Sequence, residues 1–162
     1  GYRDRLIIPF YYECRVVGWT GRSVTDKKPK YLTEVQPGFV FGLDEQTYNK
    51  SFAILCEGQL DAIHVDGCAL GGSEISEQQA MLLNRLQKQI IVVPDRDSAG
   101  KKLVEQAIDL GWSVALPEWP SEVTDIGEAV SKYGRLYTLY SIANVAEDSP
   151  LKIRLRSKKW FL

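Results

Sequence analysis

Two short, unbroken apolar runs constrain this chain most: Phe52, Ala53, Ile54, Leu55, Cys56 and then Ile90, Ile91, Val92, Val93. Neither alternates polar with apolar positions, so each reads as a strand buried on both faces, the habit of parallel sheets. Between them, residues 59–66 suit a short helix ending at Gly67, and Cys68, Ala69 and Leu70 suit a brief strand. Ser76 followed by Gln79 reads as a capping box that opens a helix with apolar positions Ala80, Leu83 and Leu86. Beyond the second run, a helix is expected from about Ser98 to Leu110, closed by Gly111. A strand over residues 112–116 and a helix from Asp125 to Tyr133, stopped by Gly134, complete the pattern. Strands alternating with helices imply an α/β fold, a mainly parallel sheet with helices on both faces.

The flanks differ. Leu6, Ile7, Ile8 and the run from Arg15 to Trp19 are β-rich, and Pro29, Pro37 and several lysines between Gly21 and Gly38 suggest loops and edge strands. Residues 1–50 therefore read as a small β-rich subdomain, 51–148 as the α/β domain, and 149–162 as a basic tail. In that tail Lys152, Arg154, Arg156 and Lys158 alternate with Ile153, Leu155 and Ser157, as in a strand with one basic face.

Composition removes several classes. With 44% hydrophobic and 25% charged residues, the chain suggests neither disorder nor a membrane protein. Cys14, Cys56 and Cys68 are isolated, which makes neither a zinc ribbon nor a disulfide framework and fits a reducing cytoplasm. The start, Gly-Tyr-Arg-Asp-Arg, has no signal-peptide character and no initiator Met, as expected of an excised fragment. A net charge of −1 argues against a general nucleic-acid binder. The charge is unevenly spread, however, with an acidic centre between basic flanks.

Acidic residues fall where open α/β sheets gather ligands, outside the carboxyl ends of strands. Glu57 closes the first buried run, Asp95 and Asp97 the second, and Asp125 follows the later strand. On extended backbone, residues two apart point the same way, so Asp95 and Asp97 can converge, and Glu57 faces them if its strand is the neighbour. Such crowding is unfavourable without a cation. Mg²⁺ takes one or two carboxylates and leaves its other positions to water and phosphate, which suits metal-assisted phosphoryl transfer. The bland alternative makes each Asp a turn residue or a helix N-cap. Gly58 would allow a sharp turn, Gly100 would let a helix approach the sheet, and Gly71, Gly72 and Ser73 would admit a ligand to the backbone. His64, the only histidine, reads as a packed or surface residue, and no phosphate-binding Gly-rich loop exists.

Glu57-Gly58-Gln59-Leu60-Asp61-Ala62, followed by Asp95-Arg96-Asp97-Ser98-Ala99-Gly100, resembles the TOPRIM signature over about residues 51–133. The resemblance implies acid–base or near-metal work for Glu57, Mg²⁺ binding (Mn²⁺ substituting) by Asp95 and Asp97, and a contribution from Asp125. Upstream, Leu6 to Phe10, Arg15 to Arg22 and Pro29-Lys30-Tyr31-Leu32 resemble the core of bacterial and phage primases. That implies contacts from Arg22 and Lys30 to nucleotide or nucleic acid. The expected activity is Mg²⁺-dependent synthesis of RNA primers by a nucleotidyltransferase, joining ribonucleoside triphosphates on a single-stranded DNA template. A replicative helicase is a further expected partner, no membrane is involved, and the expected location is the cytoplasm, the host's if a phage encodes the chain. The alternatives are a metal-dependent TOPRIM nuclease and a non-catalytic nucleic-acid-binding module. Three features depart from the primase pattern. Arg96 stands where Gly is usual, Gly127 stands where a second Asp is common, and no basic residue matches the one expected after Lys30-Tyr31-Leu32. With no Cys/His cluster to build a zinc module, the chain alone is expected to prime poorly.

Overall fold

The computed structural model describes residues 1–162. Its first fifty residues build an antiparallel sheet in the order β1-β2-β3 from β1 (Arg5–Tyr12), β2 (Arg15–Ser23) and β3 (Tyr31–Val35). β1 and β2 join through Glu13 and Cys14, both at positive φ, a backbone twist that matches tight hairpins. Neither is glycine. The Asp44 carboxylate accepts from both of their amides, at 3.0 and 2.9 Å, which holds the turn against the rest of the chain. Ile8 and Phe10 are buried beneath this sheet, and Phe10 stacks on Phe39 with ring centroids 5.3 Å apart.

The remainder is a four-stranded parallel sheet with helices on both faces, as the alternating pattern implies. The elements are β4 (Phe52–Cys56), α1 (Gln59–Val65), β5 (Cys68–Ala69), α2 (Glu77–Asn84), β6 (Gln89–Val92), α3 (Ser98–Asp109) and β7 (Ser113–Val114). Three helices close the chain: α4 (Ile126–Tyr133), α5 (Arg135–Val145) and α6 (Pro150–Trp160). The strand order is β5-β4-β6-β7, with every pairing parallel. Ala53, Ile54, Leu55, Ile90, Ile91, Val92 and Val93 are all buried, so the two apolar runs form the centre of the core. Short antiparallel bridges flank the sheet, Phe41 with Ala69 beside β5 and Glu147 with Val114 beside β7.

Several local expectations agree with the structure. Ser76 and Gln79 form a complete capping box on α2. The strand expected over residues 112–116 shortens to Ser113 and Val114, and the Trp112 indole instead donates to Asn84 Oδ1 at 2.9 Å. Gly134 ends α4 at φ 81° but does not end the helical region, because α5 begins at the next residue.

The tail departs from expectation. Residues 150–160 form a helix, not a strand with one basic face. Pro150 occupies the first turn, where its missing N–H costs nothing. Ile153 and Trp160 are buried seven residues apart on one side of the helix, with Ser157 partly buried between them. The alternation of basic residues is incidental to this stripe, and the cations lie around the exposed surface, with Arg154 pairing Glu105 at 2.9 Å.

Candidate metal centre and basic wall

β4 and β6 lie side by side, and their chains leave in opposite directions, β4 toward β5 and β6 toward β7. Such a reversal opens a crevice at the carboxyl ends of the two strands. Glu57 stands at the end of β4 and Asp95 three residues beyond β6. The strands remain joined at this end, with the Val93 amide donating to Leu55 O at 2.9 Å. Glu57 is partly buried, and its Oε1 has no hydrogen-bond partner. Burial, then the charge of Asp97, raises its pKa to about 7, against a smaller pull downward from the Asp95 amide. Asp95 is raised to about 8, first by burial and then by Glu57, with Asp61, Asp125 and Asp97 adding to the effect. A buried carboxylate oxygen without a donor is costly, and a bound cation would remove that cost. The donor set is all oxygen, which suits a hard divalent ion.

Asp97 and Asp125 also fill the bland role. Asp97 caps α3, its Oδ1 accepting from the Gly100 amide at 2.8 Å, and Asp125 caps α4, accepting from the Glu128 amide at 2.7 Å. A cap uses one carboxylate oxygen and leaves the other. The Asp97 amide donates to Asp95 O at 2.9 Å, so the pair sits in a tight turn and not on the extended backbone expected from its spacing. No three acidic, histidine or cysteine side chains are already drawn together as a ligand set. Their charges still reach one another, and neighbouring carboxylates add to the rise at Glu57, Asp61 and Asp95. Gly100 does allow close approach: a Cβ there would lie 2.1 Å from Asp95 O.

The structure adds Asp61 to the acidic group. From α1 its Oδ1 accepts the Gly127 amide at 2.8 Å, and its pKa is raised, first by burial and then by Asp125. It also lies close to Gly58, whose backbone is extended and needs no special turn. A Cβ at Gly58 would lie 2.9 Å from Asp61 Oδ2. The signal in the sequence was a second carboxylate four residues after Glu57, in the first turn of the helix that follows it.

Arg22 faces the acidic group from the small sheet, and its charge opposes the rise at Asp61. Its guanidinium lies over the Tyr31 ring, 5.4 Å from the centroid, and donates to the Tyr31 hydroxyl. A cavity of about 790 Å³ is lined by Arg22, Lys27, Lys28 and Lys30, with Asp26 among them, and by Leu60, the neighbour of Asp61. Arg22 is the member of this basic wall that acts on the acidic group, while the Lys30 side chain is exposed and its carbonyl accepts the Ser23 amide at 2.9 Å.

A family profile described as Toprim-like matches residues 54–129, a span that contains Glu57, Asp61, Asp95, Asp97 and Asp125. Residues 54–129 form a Toprim-like domain. Around this domain the chain is similar to DNA primases. One from Synechococcus elongatus is 37% identical over 125 residues, covering 66% of this chain and 18% of the relative. One from Aquifex aeolicus is 30% identical over 158 residues, covering 83% and 32%. Among solved structures, the zinc-binding and RNA polymerase domains of Aquifex aeolicus primase superpose with a TM-score of 0.75 and 26% identity, over 98% of this chain and 47% of that one. A DnaG catalytic domain bound to single-stranded DNA has a TM-score of 0.76 at 18% identity and shows the shared fold, over 96% of this chain and 56% of that one. The chain thus spans less than a third of these curated relatives and about half of these solved chains. Arg22 and Lys30 lie outside the Toprim-like domain, in the small sheet and the segment leading to β3, yet within the stretch aligned with the Aquifex structure. No helix is long and apolar enough to cross a membrane.

Proposed function

We propose that this chain is the metal- and nucleotide-handling part of a DNA primase core, acting in RNA primer synthesis. The observation that carries the reading is the unpaired, buried Glu57 Oε1 beside Asp95 at the β4–β6 crevice, with Arg22 of the basic cavity acting on the neighbouring Asp61. In this reading Glu57, Asp95, Asp97 and Asp125 hold Mg²⁺ or Mn²⁺, each contributing the oxygen its other duties leave over. Bound there, the ion would neutralise triphosphate charge and orient it for phosphoryl transfer. Arg22 and Lys30 bind phosphates of the incoming ribonucleotide or of a single-stranded DNA template, and Tyr31 holds the Arg22 guanidinium in place. The raised Asp95 and Glu57 carboxyls hold protons until a cation arrives and then release them.

In organisation, residues 1–50 supply the basic wall, 51–148 the acidic crevice, and 149–162 a helix that packs through Trp160 on Arg96 and Trp119. A cytoplasmic site of action, a phage source and a helicase partner belong to the same reading. Similarity to primases along almost the whole chain favours it over a Toprim-like nuclease.

Mn²⁺ soaked into crystals of the chain should appear between Glu57 and Asp95. Template-directed dinucleotide formation should require these residues when the chain is joined to the flanking regions of a primase. Metal-dependent nicking of DNA without primer synthesis would replace the primase reading with the nuclease one. Mn²⁺ bound elsewhere would overturn the site.

A further inference from the structure

Arg96 sits between two of the site carboxylates, and its side chain turns away from them. Its backbone amide donates to Thr124 O at 3.0 Å. Its guanidinium donates to two successive carbonyls, Nη1 to Pro120 O at 2.9 Å and Nη2 to Trp119 O at 2.7 Å. The other contact of the same plane is the Trp160 ring of α6, with the guanidinium carbon 4.0 Å from the centroid. Trp160 is 5% exposed, and it packs on Trp119 with centroids 5.8 Å apart. Trp119 in turn donates to Ser141 Oγ of α5 at 3.1 Å.

The segment gripped in this way, residues 117–124, has no helix or strand of its own, and it leads directly to Asp125. One residue therefore ties the turn carrying Asp95 and Asp97 to the loop that delivers Asp125. The arrangement is costly. Arg96 Nε and Trp160 Nε1 are both buried without partners, and burial lowers the Arg96 pKa. Apolar packing would hold α6 against the loop without unpaired donors. A planar fork that takes two adjacent carbonyls while stacked on an indole fixes direction and distance, which apolar packing does not.

We infer that Arg96 is a positioning residue, which sets the spacing between the Asp95–Asp97 turn and Asp125 and uses Trp160 of α6 as its platform. The inference rests on the proposed metal site. It makes α6 part of the site's construction, although the helix supplies no ligand.

The test is Mn²⁺ affinity of the full chain, read by electron paramagnetic resonance at a temperature where circular dichroism shows every variant folded. Arg96→Gly should weaken binding at least fivefold. Arg96→Lys, a point charge that cannot grip two carbonyls and stack at once, should fall between Gly and the parent. Trp160→Leu should weaken binding with Arg96 still present. Leu83→Ala, a core truncation on the buried face of α2, should lower thermal stability and leave Mn²⁺ affinity unchanged, which separates positioning from general loosening. Asp95→Asn tests the underlying site. If it leaves Mn²⁺ binding intact, the metal-site reading fails and takes this inference with it. If Asp95→Asn abolishes binding while Arg96→Gly and Trp160→Leu bind as the parent does, only the role of Arg96 is overturned. Should Arg96→Gly not fold, parental affinity in both Arg96→Lys and Trp160→Leu overturns that role equally.

Discussion

Asp61 Oδ1 accepts the Gly127 amide at 2.8 Å, joining α1 to the first turn of α4 across 66 residues of sequence. One carboxylate thereby links the helix that follows Glu57 to the segment that carries Asp125. Asp61→Asn keeps an acceptor oxygen and removes the charge, so its melting temperature should stay close to the parent's. Asp61→Ala leaves a partly buried N–H unpaired and should cost about 1–3 kcal/mol. Denaturant titration in chelator checks both values, and equal stability of the two variants would show that the bond carries no weight.

Asp97 serves as helix cap and candidate ligand, and the two roles separate by substitution. Asn caps a helix as well as Asp does, so Asp95→Asn with Asp97→Asn should abolish Mn²⁺ binding in a fully folded protein. Asp97→Ala loses the cap as well, at a cost of about 1 kcal/mol, or a melting point lower by about 3 °C in a chain of this size. Calorimetry beside a metal titration reads both effects.

The raised carboxyls give the stability of the metal-free protein a definite pH slope. Glu57 and Asp95 have ordinary pKa values of 4.5 and 3.8 and folded values of about 7 and about 8. Between those limits the native state binds more protons than the unfolded chain, so stability in chelator should fall as pH rises from about 4 to about 8 and then level off. Mg²⁺ needs the ionised forms, so the gain in melting temperature on adding it should be larger at about pH 8.5 than at about pH 6. A gain independent of pH would mean that these two groups are not where the ion binds.

Arg22→Ala with Lys30→Ala should weaken single-stranded DNA binding and flatten its salt dependence by about 0.7 in logarithmic slope for each phosphate no longer neutralised. Replacing Lys27 and Lys28, which line the same cavity, should have the same kind of effect. An unchanged slope in both pairs would place the nucleic acid elsewhere.

What the sequence revealed follows the range over which each feature is encoded. The apolar runs of β4 and β6 and the capping box of α2 are local signals, and they read correctly because burial on both faces and a cap leave direct marks on composition. The acidic crevice was legible for a similar reason, since Glu57 and Asp95 close those same runs. α5 was not announced, because its two buried residues, Thr138 and Ile142, are only four apart amid exposed Leu136, Tyr137 and Tyr140. The tail misled because alternating basic residues imitate a strand, while the deciding contacts of Ile153 and Trp160 are with the distant core. Asp61 and Arg96 stand within the two acidic motifs, but their partners, Gly127, Trp119, Pro120 and Trp160, are set by tertiary structure alone.

The two antiparallel bridges beside the parallel sheet cover its two edges. Each exchanges a pair of backbone hydrogen bonds, at 2.9 and 3.0 Å between Phe41 and Ala69 and again between Val114 and Glu147. Running against the strands they meet, these segments occupy donors and acceptors that β5 and β7 would otherwise offer to a second copy of the chain. They come from opposite ends of the sequence, one from the connection after the small sheet and one from the approach to α6. Shortening the chain before Glu147 would therefore do more than remove a helix. It would uncover the β7 edge, and self-association of the shortened chain is the expected outcome in sedimentation.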